Sequence, residues 1–220
     1  MNNALPLKFS AATLLAMAAA SAWALTVIPG DAQVAVHFNL EGAPDRFASP
    51  LFAFAIMPVA VLLLSLIFAV APRFERRRDN LQRSGNAYAT FWIGSLAILL
   101  VAHAVIIASA LGMALSIPRG LTAVLGLFLM VTGNVASRIK PNGIMGVRTP
   151  WTRASDRIWA KTHRVFGWAS VLLGLGLVAL AIANAAPAIL VSAIVGGVVA
   201  ISLGSIAYSY WAWRQEQAGA

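Results

Sequence analysis

No cysteine occurs anywhere in the chain, which excludes disulfides, thiolate nucleophiles and Cys-ligated metals. Charge is nearly as scarce: charged residues make up 10% of the 220 positions, while 60% are hydrophobic. Soluble domains carry about a quarter charged residues, so this composition points to a membrane protein. Only three histidines are present, His37, His103 and His163. The first falls in an outer loop, the second in mid-span and the third at the inner surface, so they cannot form one metal site. The apolar runs hold no acidic residue, which argues against an aspartyl protease or a carboxylate proton relay. No serine stands in a nucleophile-elbow pattern, and neither an enzyme nor a cofactor is expected.

What remains is apolar sequence in six runs, at 9–28, 51–71, 88–114, 120–137, 165–185 and 187–212. Each is long enough to cross a hydrocarbon core of ~30 Å at 1.5 Å per residue. The runs are apolar on all sides and do not alternate, so they read as helices and not as barrel strands. The expected fold is all-α: a polytopic integral membrane protein with six transmembrane helices and an inner amphipathic interfacial helix. It divides into an N-terminal two-helix region, 1–86, with an extracytoplasmic loop at 29–50, and a four-helix region, 87–220. No soluble domain or internal repeat is evident.

The basic residues set an orientation. With the N-terminus in the cytoplasm, Lys8, the loop arginines 73–83, the seven basic residues of 138–164 and Arg214 lie inside. They are fourteen of the sixteen, leaving Arg46 and Arg119 outside. The asymmetry predicts an even number of crossings with both termini cytoplasmic. The net charge of +9 is thus a topology signal, and direct nucleic-acid binding is not expected. Lys8 and the small residues Ala18–Ala22 resemble a signal peptide, but the run continues through Trp23, Leu25, Val27 and Ile28. The chain is read with the first span retained.

In the outer loop, Gly42 is suited to a positive φ and Pro44 fixes the next bend. Alternating Val34, Val36 and Phe38 suggest a short extended segment on the membrane surface. His37, Asn39, Asp45 and Arg46 either present outward to a ligand or cap the first two spans. The arginines of 73–83 attract anionic lipid headgroups.

The densest polar insert is 142–164. Lys140-Pro141-Asn142-Gly143 reads as a turn, since proline forbids helix for its predecessor and Asn-Gly tolerates left-handed geometry. Thr149 is placed to cap a helix with Pro150 at its first position. From there Trp151, Ser155, Ile158, Trp159, Thr162 and Phe166 recur at helical spacing, with Arg153, Arg157, Lys161 and Arg164 on a second stripe. The expectation is one amphipathic helix in the inner interface, bending into the fifth span. His163 shares a face with Trp159, either as a packed hydrogen-bonding group or as a ligand or proton carrier. His103 stays open between a structural bond to another helix and a functional site. Gly196, Ala200 and Gly204 offer a small face for close helix contact.

Asn134, Lys140-Pro141-Asn142, Gly146, Arg148-Thr149-Pro150-Trp151-Thr152, Ser155, Trp159, Thr162-His163-Arg164 and Gly167 together resemble the signature of the SdpI-type immunity-protein family, over 133–167. His37-Phe38-Asn39, Gly42 and Pro44-Asp45-Arg46 resemble the membrane domain of unknown function that precedes it in longer members. The resemblance implies a bacterial inner-membrane protein that protects its producer against a secreted toxin peptide. It also implies that a cytoplasmic repressor is sequestered at the membrane when the toxin binds. The outer residues are then candidate ligand contacts and the inner motif a scaffold or signal output. A transporter or channel is the alternative, hinted at by Pro58, His103, Asn134 and Asn184.

Overall fold

The structure, a computed structural model, describes residues 3–113 and 115–219. Ala114, expected at the end of the third apolar run, and the chain-end residues of the two expected regions lie outside it. Eight α-helices follow in order among the described residues: α1 Ala4–Val27, α2 Pro50–Val70, α3 Arg78–Arg83, α4 Gly85–Ala110, α5 Ile117–Ala136, α6 Pro150–Ala154, α7 Asp156–Ile182 and α8 Pro187–Ala218. Six of them are long and apolar enough to cross a membrane, one for each apolar run. The protein is a polytopic, essentially all-helical membrane protein.

The exception to helix is a hairpin between α1 and α2. Strand β1 (Val34–Phe38) pairs antiparallel with β2 (Pro44–Ala48), with irregular register on both sides of His37. The extended segment expected at Val34–Phe38 therefore has a partner strand. It also packs inward: Val34 and Ala35 are buried, and Val34 joins Ala24, Ala53, Phe54, Ile106 and Ile107 in one apolar cluster.

Polar side chains tie α1, α2 and α4 together where apolar contact alone has no preference between lipid and protein. Ser10 Oγ accepts from Ser65 Oγ at 2.8 Å and from Trp92 Nε1 at 3.1 Å. Ser21 Oγ donates to the Phe54 carbonyl at 3.0 Å. His103 turns Nε2 toward the Met17 carbonyl at 3.3 Å and toward Ser21 Oγ at 3.2 Å. The bond to a neighbouring helix is thus present at Nε2, while Nδ1 is buried without a partner among the described residues.

The second half is built on glycine. A Cβ at Gly133 would lie 2.7 Å from the Gly167 carbonyl oxygen, and one at Gly174 would lie 2.4 Å from that of Gly126. The backbones of α5 and α7 are thus in direct contact. The small face Gly196, Ala200 and Gly204 does not do this work. It is exposed, and a Cβ at Gly196 or Gly204 would meet nothing within 4 Å. Helix α4 packs on α1 and α2 and also on α5, joining the two halves.

Candidate functional site: a hydrogen-bonded loop at the basic end

The loops between α2 and α4 and between α5 and α7 share one end of the bundle with the two chain termini, opposite the hairpin. The second of these loops, over 137–149, is almost fully specified by side chains. Asn142 Oδ1 accepts the N–H groups of Ile144 and Met145 at 2.8 and 2.9 Å, and its Nδ2 donates to the Lys140 carbonyl at 2.8 Å. This Asx arrangement makes the turn without left-handed backbone. Among the described residues of the loop, the positive φ belongs to Gly146, at 106°; neither Asn142 nor Gly143 takes up the left-handed geometry it tolerates.

Three residues of the neighbouring loop anchor it. Glu75 is buried, and its carboxylate accepts from Gly143 N and Arg77 N, both at 2.7 Å. Asn80 Nδ2 donates to the Pro141 carbonyl at 2.8 Å, and Ser84 Oγ accepts from Lys140 N at 2.8 Å. Sequence reasoning assigned none of the three a role. The available signal was that Glu75 is an acidic residue among arginines at a span end.

His163 lies beneath the loop, fully buried and stacked on Trp159 with ring centroids 4.2 Å apart. Its Nε2 accepts from Val147 N at 3.0 Å, and its Nδ1 donates to the Trp159 carbonyl at 2.9 Å. Accepting at one nitrogen and donating at the other defines a neutral ring with its proton on Nδ1. Both nitrogens are engaged within the chain, as the packed, hydrogen-bonding reading expects. Trp159 Nε1 in turn donates to the Ile139 carbonyl at 2.7 Å.

Thr149 caps α6 as expected. Its hydroxyl accepts from Thr152 N at 3.2 Å, and Thr152 Oγ1 accepts from Thr149 N at 2.9 Å, a reciprocal capping box. Thr152 Oγ1 also reaches the Val147 carbonyl at 2.8 Å, and Thr149 Oγ1 lies 3.0 Å from Ser209 Oγ of α8. Trp151 packs its ring on Tyr210, 4.9 Å between centroids. Arg148 donates from Nη1 to the Gly143 carbonyl.

The single amphipathic helix expected from Thr149 through Phe166 is instead two. Ser155 adopts an extended conformation (φ −140°, ψ 122°) and its Oγ accepts from Ile158 N, so it ends α6 and caps α7. The basic stripe on Arg157, Lys161 and Arg164 is therefore the opening of the fifth span itself.

The structure thus joins Lys140, Pro141, Asn142, Gly146, Arg148, Thr149, Thr152, Trp159 and His163 into one network. Gly167 serves the helix contact described above. Asn134 and Arg164 are exposed and lie outside the network. The buried Thr162 hydroxyl has no partner among the described residues.

At the opposite end, His37 Nδ1 lies 2.6 Å from Asp45 Oδ1, with both side chains about half exposed. Asn39 Oδ1 accepts from Glu41 N and Ala43 N. Gly42 (φ 83°) sits against Pro118, whose ring would be 2.9 Å from a Cβ there. Among the described residues, no three His, Asp or Glu come close enough to hold a metal.

Comparison with known proteins places both ends. Residues 12–70 match a domain of unknown function, DUF1648, and residues 138–209 match the SdpI/YfhL protein family. The latter extends through most of α8, beyond the 133–167 signature. Immunity protein SdpI of Bacillus subtilis (strain 168) is 26% identical over 134 residues, which cover 60% of this chain and 61% of that protein. No solved structure matches. The chain is therefore a multi-pass bacterial membrane protein in which a region matching DUF1648, with the hairpin, precedes a region matching the SdpI/YfhL protein family, whose network is centred on His163.

Proposed function

We propose that this protein is an immunity protein of the bacterial inner membrane that protects its producer against a secreted toxin peptide. The observation that carries the reading is the likeness to Immunity protein SdpI, 26% over 134 residues. In this reading both termini are cytoplasmic, as the placement of basic residues argues. The hairpin then faces outward and meets the toxin through His37, Phe38, Asn39, Asp45 and Arg46, with the exposed Leu40 and Phe47 supplying apolar contact. The networked loop at the basic end is the cytoplasmic face. It holds a repressor there when the toxin is bound, with Arg148, Arg153 and Trp151 as its contact surface.

The role is non-enzymatic: the conspicuous side chains of the loop are spent on one another and on backbone groups. Transport has less to support it. Helix α2 runs unbroken through Pro58, His103 is bonded to α1, and Asn184 (φ 58°) lies in the turn before α8.

Expression in a toxin-sensitive host tests the reading. Wild type should restore growth in the presence of the secreted peptide. Asp45→Ala and Arg46→Ala, at wild-type abundance, should lose protection, whereas Arg148→Ala and Trp151→Ala should retain toxin binding and lose the output. Wild-type protein that protects against no such peptide overturns the immunity role. Hairpin variants that protect fully remove the hairpin from toxin contact.

A further inference from the structure

Asn134 and Arg164 remain unexplained by the loop network, and they meet in one place. A groove of about 180 Å³ runs between α5 and α7, floored by Gly133 and Gly167 and walled by Asn134, Ser137, Arg164 and Trp168. Arg164, Asn134 and Ser137 make no side-chain hydrogen bond or ion pair within the chain among the described residues. No carboxylate lines the groove.

Depth identifies what belongs there. Helix α7 has 27 residues, ~40 Å at 1.5 Å per residue and so ~10 Å more than the hydrocarbon core. Its charged residues, Asp156, Arg157, Lys161 and Arg164, all lie in the first third, so the excess length projects at that end. Arg164 then sits at the hydrocarbon boundary, and Trp168, 66% exposed, one turn deeper in the interfacial aromatic belt. A guanidinium at that depth without a counter-charge is unfavourable. The anions present at that depth are lipid phosphates.

We propose that this groove binds one anionic phospholipid. Arg164 engages its phosphate, Asn134 and Ser137 donate to phosphate or headgroup oxygens, and Trp168 lies along the glycerol and upper acyl chain. This is a defined site and differs from the diffuse attraction of a basic surface: a guanidinium with two neutral donors around a concavity selects phosphate geometry.

The test is native mass spectrometry of the full chain in detergent, titrated with phosphatidylglycerol or phosphatidylcholine. Wild type should bind one phosphatidylglycerol at least about tenfold more tightly than phosphatidylcholine. Lys161→Gln removes an equal charge from the same helix outside the groove and measures the diffuse contribution, at most about fivefold. Arg164→Gln should lose at least about fivefold more than Lys161→Gln, and Asn134→Ala combined with Ser137→Ala should weaken binding with no change in charge. Equal losses in Arg164→Gln and Lys161→Gln, or no headgroup preference in wild type, overturn the site. So does Arg164-dependent binding of inorganic phosphate as tight as that of the lipid, which would make it a soluble-anion site.

Discussion

Val147 and His163 are joined by a 3.0 Å hydrogen bond from backbone N–H to imidazole Nε2, and the residue before Val147 leaves no room for anything larger than glycine. A Cβ on Gly146 would lie 2.2 Å from that same nitrogen. A loop amide, a ring nitrogen and a missing side chain thus form one unit. The imidazole is an internal fastener here.

Gly146→Ala should therefore be among the most damaging single-methyl additions to the chain. It combines a φ of 106° with a collision against His163, for a loss of about 2–4 kcal/mol. The check is the thermal unfolding midpoint in detergent, which should fall clearly. His163→Phe keeps an aromatic ring for Trp159 but leaves Val147 N–H buried and unbonded, at about 1–3 kcal/mol.

Glu75→Gln tests the anchor between loops. The carboxylate receives two backbone N–H groups, whereas an amide presents one acceptor and one donor to them. A loss of about 1–3 kcal/mol is expected, with faster proteolysis within 139–149. Unchanged cleavage would mean that Asn80 and Ser84 hold the loop without it.

The α5–α7 contact predicts a matched pair of outcomes. Gly174→Ala drives a methyl toward the Gly126 carbonyl and Met130, while nothing lies within 4 Å of a Cβ at Gly176. Gly174→Ala should lower the unfolding midpoint and Gly176→Ala should leave it unchanged or slightly raised, since alanine is the better helix former. Equal midpoints would contradict the close approach.

Orientation is readily tested because the chain has no cysteine, so any introduced thiol is the sole label site. In intact cells from which the outer barrier has been removed, Asp45→Cys should react with a membrane-impermeant maleimide. Arg153→Cys should react only after permeabilisation. The reverse pattern would invert the topology and place the networked loop outside.

The spans were legible because a continuous apolar run has few alternatives to a membrane helix, and the Thr149-Pro150 helix start because capping is local chemistry. The break at Ser155 was not legible. Apolar spacing continues in phase from Trp151 through Phe166, and nothing in that rhythm distinguishes a continuous helix from two aligned ones. The hairpin was half legible: Val34, Val36 and Phe38 alternate, but Pro44–Ala48 is short and mostly exposed, without an apolar face to mark it as a strand. Glu75 was invisible for a third reason. Its partner Gly143 lies 68 residues away, and no local pattern records such a pairing.

Helix α4 carries one remaining consequence. Near one terminus Ile106 and Ile107 press on the cluster holding Val34 of the hairpin; near the other, Tyr88 and Trp92 support Ile144 and Met145, and Ser84 grips Lys140. A single stiff rod ~39 Å long therefore touches both faces of the membrane protein directly. Such a rod barely stretches, so what it can deliver from one face to the other is tilt or rotation. A pull on the hairpin would reach the far side as a lever stroke.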